Sequence, residues 1–268
     1  MYEPQTETIE TEVEHESATN RYRLFMTAKD LVDGLRAINA LTDECRIVIH
    51  EDKLTVRVVD PAHVAMVDVE IPLACQATRN EDDTGIFVES EFGIDTVRLG
   101  SYLKAIKKKD MADNLFLIFD ETKKTLSFDL DGISHKMDTI ETNGMSDPKL
   151  PNLSLPGQFV ITDAKAFLRF IKTAEKVSDK IRLTLKDTVL CAETENNTDK
   201  VNCLIDGGRE DQTGQLAYSS LFPMEYLKNI LKGLPENQAV IRLGEDYPID
   251  IQSGHVRYLL APRIETSD

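Results

Sequence analysis

No apolar run in this 268-residue sequence approaches the roughly 18 residues that cross a bilayer as a helix, and the N-terminus lacks the basic and apolar regions of a secretion signal. Neither membrane insertion nor export is expected. The four cysteines, Cys45, Cys75, Cys191 and Cys203, contain no C-x-x-C spacing and lie in apolar, strand-like stretches. They read as small buried hydrophobes in a reducing cytosol, not as metal ligands or redox pairs. The phosphate-binding G-x-x-x-x-G-K-S/T, the dinucleotide G-x-G-x-x-G, and the hydrolase signatures H-E-x-x-H and G-x-S-x-G are all missing. The five histidines, His15, His50, His63, His135 and His255, are scattered. No enzymatic activity, cofactor or metal is expected.

Positive charge is also scarce, with 31 Lys and Arg against 47 Asp and Glu for a net charge of −16. At first sight that argues against a nucleic-acid partner, because phosphate binding is dominated by basic residues. Distribution matters more than the sum. Residues 1–20 hold six glutamates and no Lys or Arg, which reads as a disordered acidic extension.

What is present is a repeat. At a shift of 136, Ala28, Lys29, Leu31, Leu35, Asp43, Arg46, Ile47, Ile49 and Leu54 fall on Ala164, Lys165, Phe167, Ile171, Asp179, Arg182, Leu183, Leu185 and Leu190 without a gap. Further on, Tyr102-Leu103-Lys104 matches Tyr226-Leu227-Lys228 at a shift of 124. A repeat this long suggests two similar domains and not a solenoid, whose units run to about 20–50 residues. The expected organisation is an N-terminal domain over 21–137, a connecting loop over 138–155 and a C-terminal domain over 156–265. With 41% hydrophobic residues both can build a core.

Within each half the patterning predicts two helices and many antiparallel strands, an α+β scheme without a βαβ rhythm. Helices are expected over 28–41, 99–108, 163–177 and 224–231. Strands are expected at 22–26, 46–50, 54–59, 64–71, 94–97, 115–119, 125–130 and 134–137, then at 158–161, 181–185, 189–193, 201–205, 215–218, 239–243, 249–252 and 256–260. Glu81, Asp82 and Asp83 read as a solvated acidic loop.

On the helix after Asp163, a rotation of 100° per residue gathers Lys165, Arg169, Lys172 and Lys176 within about 60°, a basic stripe about 16 Å long opposite Phe167, Phe170, Ile171 and Ala174. The 99–108 helix gathers Lys104, Lys107 and Lys108 away from Leu99, Leu103 and Ile106. The other two are weaker: Asp33 interrupts Lys29 and Arg36, and Glu225 lies close to Lys228 and Lys232. A solvated face is the usual meaning of one such stripe. Cations concentrated on matching elements of a repeat suggest a surface that meets a polyanion backbone without reading sequence. No aromatic side chain interleaves the basic ones, so duplex is the better ligand than stacked single strands.

The segment Leu54 to Val69 (LTVRVVDPAHVAMVDV), Pro148-Lys149-Leu150-Pro151, the repeated Tyr-Leu-Lys helices and the ending Tyr258-Leu-Leu-Ala-Pro-Arg-Ile-Glu265 resemble the sliding-clamp family of proliferating cell nuclear antigen (PCNA), its archaeal members most. The resemblance spans about 21 to 265. It implies the DNA-clamp fold, with helices lining a pseudo-sixfold ring of three identical subunits around duplex DNA and strands outside. Residues implied to meet phosphate are Lys104, Lys107, Lys108, Lys165, Arg169, Lys172, Lys228 and Lys232. The chain would act as a processivity factor tethering polymerase, with clamp loader, ligase and nuclease docking short motifs in an apolar pocket. Carried over, that pocket comprises Val59, His63, Val64 and Met66, then Leu150, Pro151, Leu153 and Leu155 of the connecting loop, Pro248, and Leu259, Ala261, Pro262 and Ile264. The alternatives are a subunit of a mixed replication or checkpoint ring, or a scaffold that never encircles DNA. An archaeal cytoplasm is implied, or a nucleus for a eukaryotic source.

Two features depart from the family pattern: Leu259 replaces the tyrosine of many eukaryotic members, and the acidic extension has no counterpart. Subunit contact in the family joins edge strands of the two domains, for which Thr125 to Leu130 and Val201 to Ile205 are the candidates.

Overall fold

The computed structural model describes residues 20–79, 87–104, 106, 110, 114–130, 132–210 and 217–264. The acidic extension to residue 19, the acidic triplet Glu81 to Asp83, Lys107 and Lys108 lie outside them.

The first half runs β1 (Arg21–Thr27), α1 (Ala28–Ile38), β2 (Glu44–Ile49), β3 (Lys53–Val59), β4 (Ala65–Pro72), β5 (Thr78–Arg79), β6 (Ser90–Asp95), α2 (Thr96–Leu103), β7 (Asn114–Asp120), β8 (Thr125–Leu130) and β9 (Ile133–Asp138). The second runs β10 (Gly157–Ile161), α3 (Ala164–Ala174), β11 (Lys180–Lys186), β12 (Val189–Glu195), β13 (Lys200–Ile205), β14 (Gly207–Arg209), β15 (Tyr218–Pro223), α4 (Met224–Gly233), β16 (Ala239–Leu243), β17 (Ile249–Ser253) and β18 (Val256–Leu260).

The 136-residue shift holds to the residue. It carries α1 onto α3 and β3 onto β12, and it carries the N-cap Thr27, whose side chain accepts from the Asp30 amide, onto the N-cap Asp163, which accepts from Ala166. Caps with an acceptor side chain fix where a helix starts, so the repeat is visible at its starts first. The 124 shift is one helical turn out. α2 starts at Thr96 and α4 at Met224, a shift of 128, which brings Leu99 and Leu103 onto Leu227 and Leu231, all buried. Residues four apart share a helix face, which is why the wrong register still looked amphipathic.

Three antiparallel sheets carry the strands, in the orders β5-β1-β7-β8-β9, β14-β10-β16-β17-β18-β4-β3-β2-β6 and β13-β12-β11-β15. The nine-stranded sheet is the joint between halves: its last strand in sequence, β18, pairs with β4 of the first half, Tyr258 opposite Val67. Helices α1 and α4 meet over this joint. The Tyr258 hydroxyl, fully buried, donates to the Ala37 carbonyl at 2.9 Å, and a Cβ on Gly233 would fall 2.2 Å from that hydroxyl. Burial pushes the Tyr258 phenol well above its ordinary range.

Two expectations change at the sheet ends. β8, Thr125–Leu130, is flanked by β7 and β9 and has no free edge; the outer strand is β9, Ile133–Asp138. β13 does end its sheet, as expected for 201–205. Strand 94–97 is instead β6 over Ser90–Asp95, and 215–218 is β15 over Tyr218–Pro223.

Candidate functional site

Two surfaces carry the residues singled out from the sequence. The first is the helical layer. Lys165, Arg169 and Lys172 are exposed on α3, whose Phe167, Ile171 and Ala174 are buried. Lys165, Lys172, Lys104 and Lys232 make no ion pair among the described residues, and Arg169 reaches Asp163 only at 3.7 Å. Lys228 is different: its ammonium sits 2.5 Å from Glu175, the C-cap of α3, so Glu175 and not Glu225 is its acidic neighbour. The hydrogen bond from Lys228, aided by the charges of Lys232 and Lys172, holds the Glu175 carboxyl below the usual carboxylate range. In the first half the buried Asp33 pairs with both Lys29, at 2.8 Å, and Arg36.

The second surface is the outer side of the nine-stranded sheet at the joint. Cross-strand register sets Val59 opposite Met66 and Met66 opposite Leu259, an apolar row spanning both halves. Beside it runs a charged row, in which Arg57 pairs with Asp68 at 2.8 Å while Arg257 and Arg242 share Asp250 at 2.8 and 3.3 Å. Beyond Leu259 the chain continues along β4, the Ala261 amide donating to the Val64 carbonyl, and then crosses to β15, Arg263 donating to Leu221. Pro248 precedes Ile249, which stands opposite Leu260, the residue before Ala261.

The turn at one end of the row is organised by Asp60. Its buried carboxylate accepts from the amides of Ala62, Val64 and Ala65 at 2.9, 2.7 and 2.6 Å and from the Tyr226 hydroxyl at 2.6 Å. Burial works to raise this carboxyl, but Tyr226 and the three amides outweigh it and hold it below its ordinary value. The same bond pushes the Tyr226 phenol up to about 12. His63 is exposed and takes the left-handed conformation, φ 56°. Sequence reading missed Asp60 and Tyr226 as partners, since 166 residues separate them and nothing local marks the pair.

The connecting segment is tied down at both ends. Ile140 exchanges both backbone hydrogen bonds with Gly93, Asp147 pairs with Arg46 at 2.7 Å, and Leu155 lies over Gly244 beside Tyr247. Between these ties Leu150, Leu153 and Leu155 are half-exposed, Pro151 is exposed, and none of them belongs to the packed core. The described contacts join Val59, Val64, Met66, Leu259 and Ala261 but do not join Leu150, Pro151 or Leu153 to that row. Ile264, at 83% exposure, and Tyr247, at 52%, extend the apolar surface; Tyr247 was not singled out from the sequence.

No protein-family model matches the chain. A relative described as a DNA polymerase sliding clamp, from Methanocella arvoryzae, is 33% identical over 254 residues, 91% of this chain and 99% of that protein. The chain belongs to the DNA polymerase sliding clamp family. A Natronomonas pharaonis clamp is 30% identical over the same 91% and 99% shares. Among solved structures, the C-terminal region of FEN-1 bound to A. fulgidus PCNA matches with a TM-score of 0.74 and 29% identity, over 92% of this chain and 100% of that one. PCNA from Thermococcus kodakaraensis, at 21% identity and a TM-score of 0.75 over 90% and 100%, shows the same fold. The α+β architecture of the clamp is thus the DNA-clamp fold. No helix among the described residues is long and apolar enough to cross a membrane.

Proposed function

We propose that three copies of this clamp close into a ring around duplex DNA, helices inward, and tether polymerase and other replication and repair enzymes through short peptide motifs. The domains are 21–137 and 156–265, with 138–155 connecting them. One observation carries the ring: the joint that unites the two halves exists once within the chain and is offered a second time at its ends. β9 stands beside β8 as β18 stands beside β17, and β13 stands beside β12 as β4 stands beside β3. Both are free edges among the described residues, and such edges favour pairing with another chain.

Transferring the β18·β4 register to these strands puts Ile133 opposite Cys203 of the partner subunit, and His135 opposite Val201 of the partner subunit. Ile133 is 61% exposed in the single chain, and His135 stacks on Phe128 with centroids 5.0 Å apart. Burying such an apolar edge is what the contact would gain. Within the ring, Lys104, Lys107, Lys108, Lys165, Arg169, Lys172 and Lys232 are the phosphate contacts, and sequence-independent contact of this kind suits a sliding tether. The half-exposed connecting segment, the Val59-Met66-Leu259 row, Pro248 and the Ala261 to Ile264 ending are the surface for a partner's apolar motif. The FEN-1 peptide bound to a 29% identical PCNA supports a nuclease among those partners.

The test is mass in solution by light scattering, followed by loading on nicked circular DNA. A mass near three times 30.2 kDa, with retention on circles and loss from cut DNA, is the expected result. A persistent monomer would favour a mixed ring or a scaffold.

A further inference from the structure

The helical face holds more cations than it offers. At equivalent positions of the repeat, the first half has Lys29, Asp33 and Arg36, and the second has Lys165, Arg169 and Lys172. Asp33 is 3% exposed, so its carboxylate cannot turn to water, and it holds both neighbouring cations. Removing a partner from a buried charge is costly, so the buried carboxylate keeps both cations close although their own side chains are 52% and 45% exposed. Glu175 is a second acid at the same layer. It reaches across from α3 to α4 and holds Lys228 with a carboxylate that is 35% exposed, where that of Asp33 is 4% exposed, so water and salt reach this acid and can exchange the pair. On the first half the corresponding C-cap is Asn39, which accepts from Thr96 with no charge involved.

We propose that Asp33 and Glu175 are resident counter-anions of the DNA-facing surface, withholding Lys29, Arg36 and Lys228 from the duplex so that phosphate contact falls on Lys165, Arg169 and Lys172. The consequence is a lining whose grip alternates, strong at α3 and weak at α1, and whose total stays low enough to move along DNA. Glu175 adds a graded element, since a phosphate arriving near Lys228 must compete with a carboxylate already in place. The inference rests on reading this face as the one that meets duplex.

The experiment is a salt titration of binding to a short fluorescent duplex by anisotropy, comparing four variants at a temperature where thermal melts show each of them folded. Glu175→Gln should bind more tightly at low salt and steepen the slope of log Kd against log salt by about 0.9 for each chain in contact. Lys165→Ala should flatten that slope by about 0.9 per chain, whereas Lys29→Ala, at the equivalent position, should leave it unchanged. The combined Lys165→Ala, Arg169→Ala, Lys172→Ala variant serves as reference. If Lys29→Ala flattens the slope as much as Lys165→Ala, or Glu175→Gln leaves it unchanged while the triple variant flattens it, the counter-anions are overturned and the duplex-facing surface stands. If the triple variant also leaves the slope unchanged, the reading of the surface itself fails.

Discussion

The two halves of this clamp share a backbone plan and differ in what they leave unpaired. In the first, α1 carries an acid between its cations and the Asp60 turn is held by a carboxylate; in the second, α3 carries Arg169 at the first position and the turn at the second is held by neutral Asn196, whose side chain accepts from the Thr198 and Asp199 amides. The joint differs in the same way. β18 finds β4 inside the chain, while β9 and β13 have no outer partner strand among the described residues. The repeat thus sets a common geometry, and single positions within it differ in charge and pairing.

The sharpest way to break the comparison is at the joint. Tyr258 and His135 occupy equivalent places on β18 and β9, yet only Tyr258 is fully buried. Tyr258→Ala should cost about 3–5 kcal/mol, read as a lower urea midpoint at unchanged m. His135→Ala should leave the single chain nearly as stable and lower the concentration-dependent mass instead.

Next in size is the edge itself. In the proposed ring Ile133→Asp would place a charge opposite Cys203 of the partner subunit, and light scattering should then show the mass fall toward 30.2 kDa while the circular dichroism of the chain is retained. A third variant, Arg169→Asp, rebuilds the first half's charge pattern on α3. With Lys165 and Lys172 drawn onto the new acid, the salt slope of duplex binding should flatten by about 2.7 per chain.

The smallest effect is set by pH. Asp60 has a folded pKa below that of an unfolded aspartate, near 3.9, so its contribution is fully present above about pH 5 and is lost as pH falls through the folded value. Amides of Ala62, Val64 and Ala65 should lose exchange protection over that window, and those of Thr198 and Asp199, held by Asn196, should not. Asp60→Asn should abolish the difference at a cost of about 1–3 kcal/mol at neutral pH.

Much of the fold was legible because its signals are local. The caps Thr27 and Asp163 and the alternation of β3 and β12 fix the 136-residue shift without reference to anything distant. The second shift failed because Tyr-Leu-Lys recurs on a helix at the wrong turn, while the true markers are the entries at Asp95 and Pro223, one a side-chain cap and the other not. β6 escaped because Glu91, Gly93 and Asp95 dilute its apolar pattern, and Gly93 is small for a reason invisible in sequence: Ile140 of the connecting segment lies against it. The choice between β8 and β9 as the edge depends on strand order, which hairpin patterning does not encode. At the candidate site, the basic stripe of α3 and the interruption of Lys29 and Arg36 by Asp33 were readable from helical geometry, whereas the neutralisation of Lys228 required knowing that Glu175 meets it across two helices.

The β18·β4 pairing also bears on how the chain comes to exist. The strand that completes the first half's sheet is made long after β4, so residues 65–72 wait as an open edge until it appears. Contacts this distant in sequence are slow to form. The nascent first half therefore carries an unpaired β4 until β18 arrives, and a chain stalled in between would be prone to join the wrong neighbour.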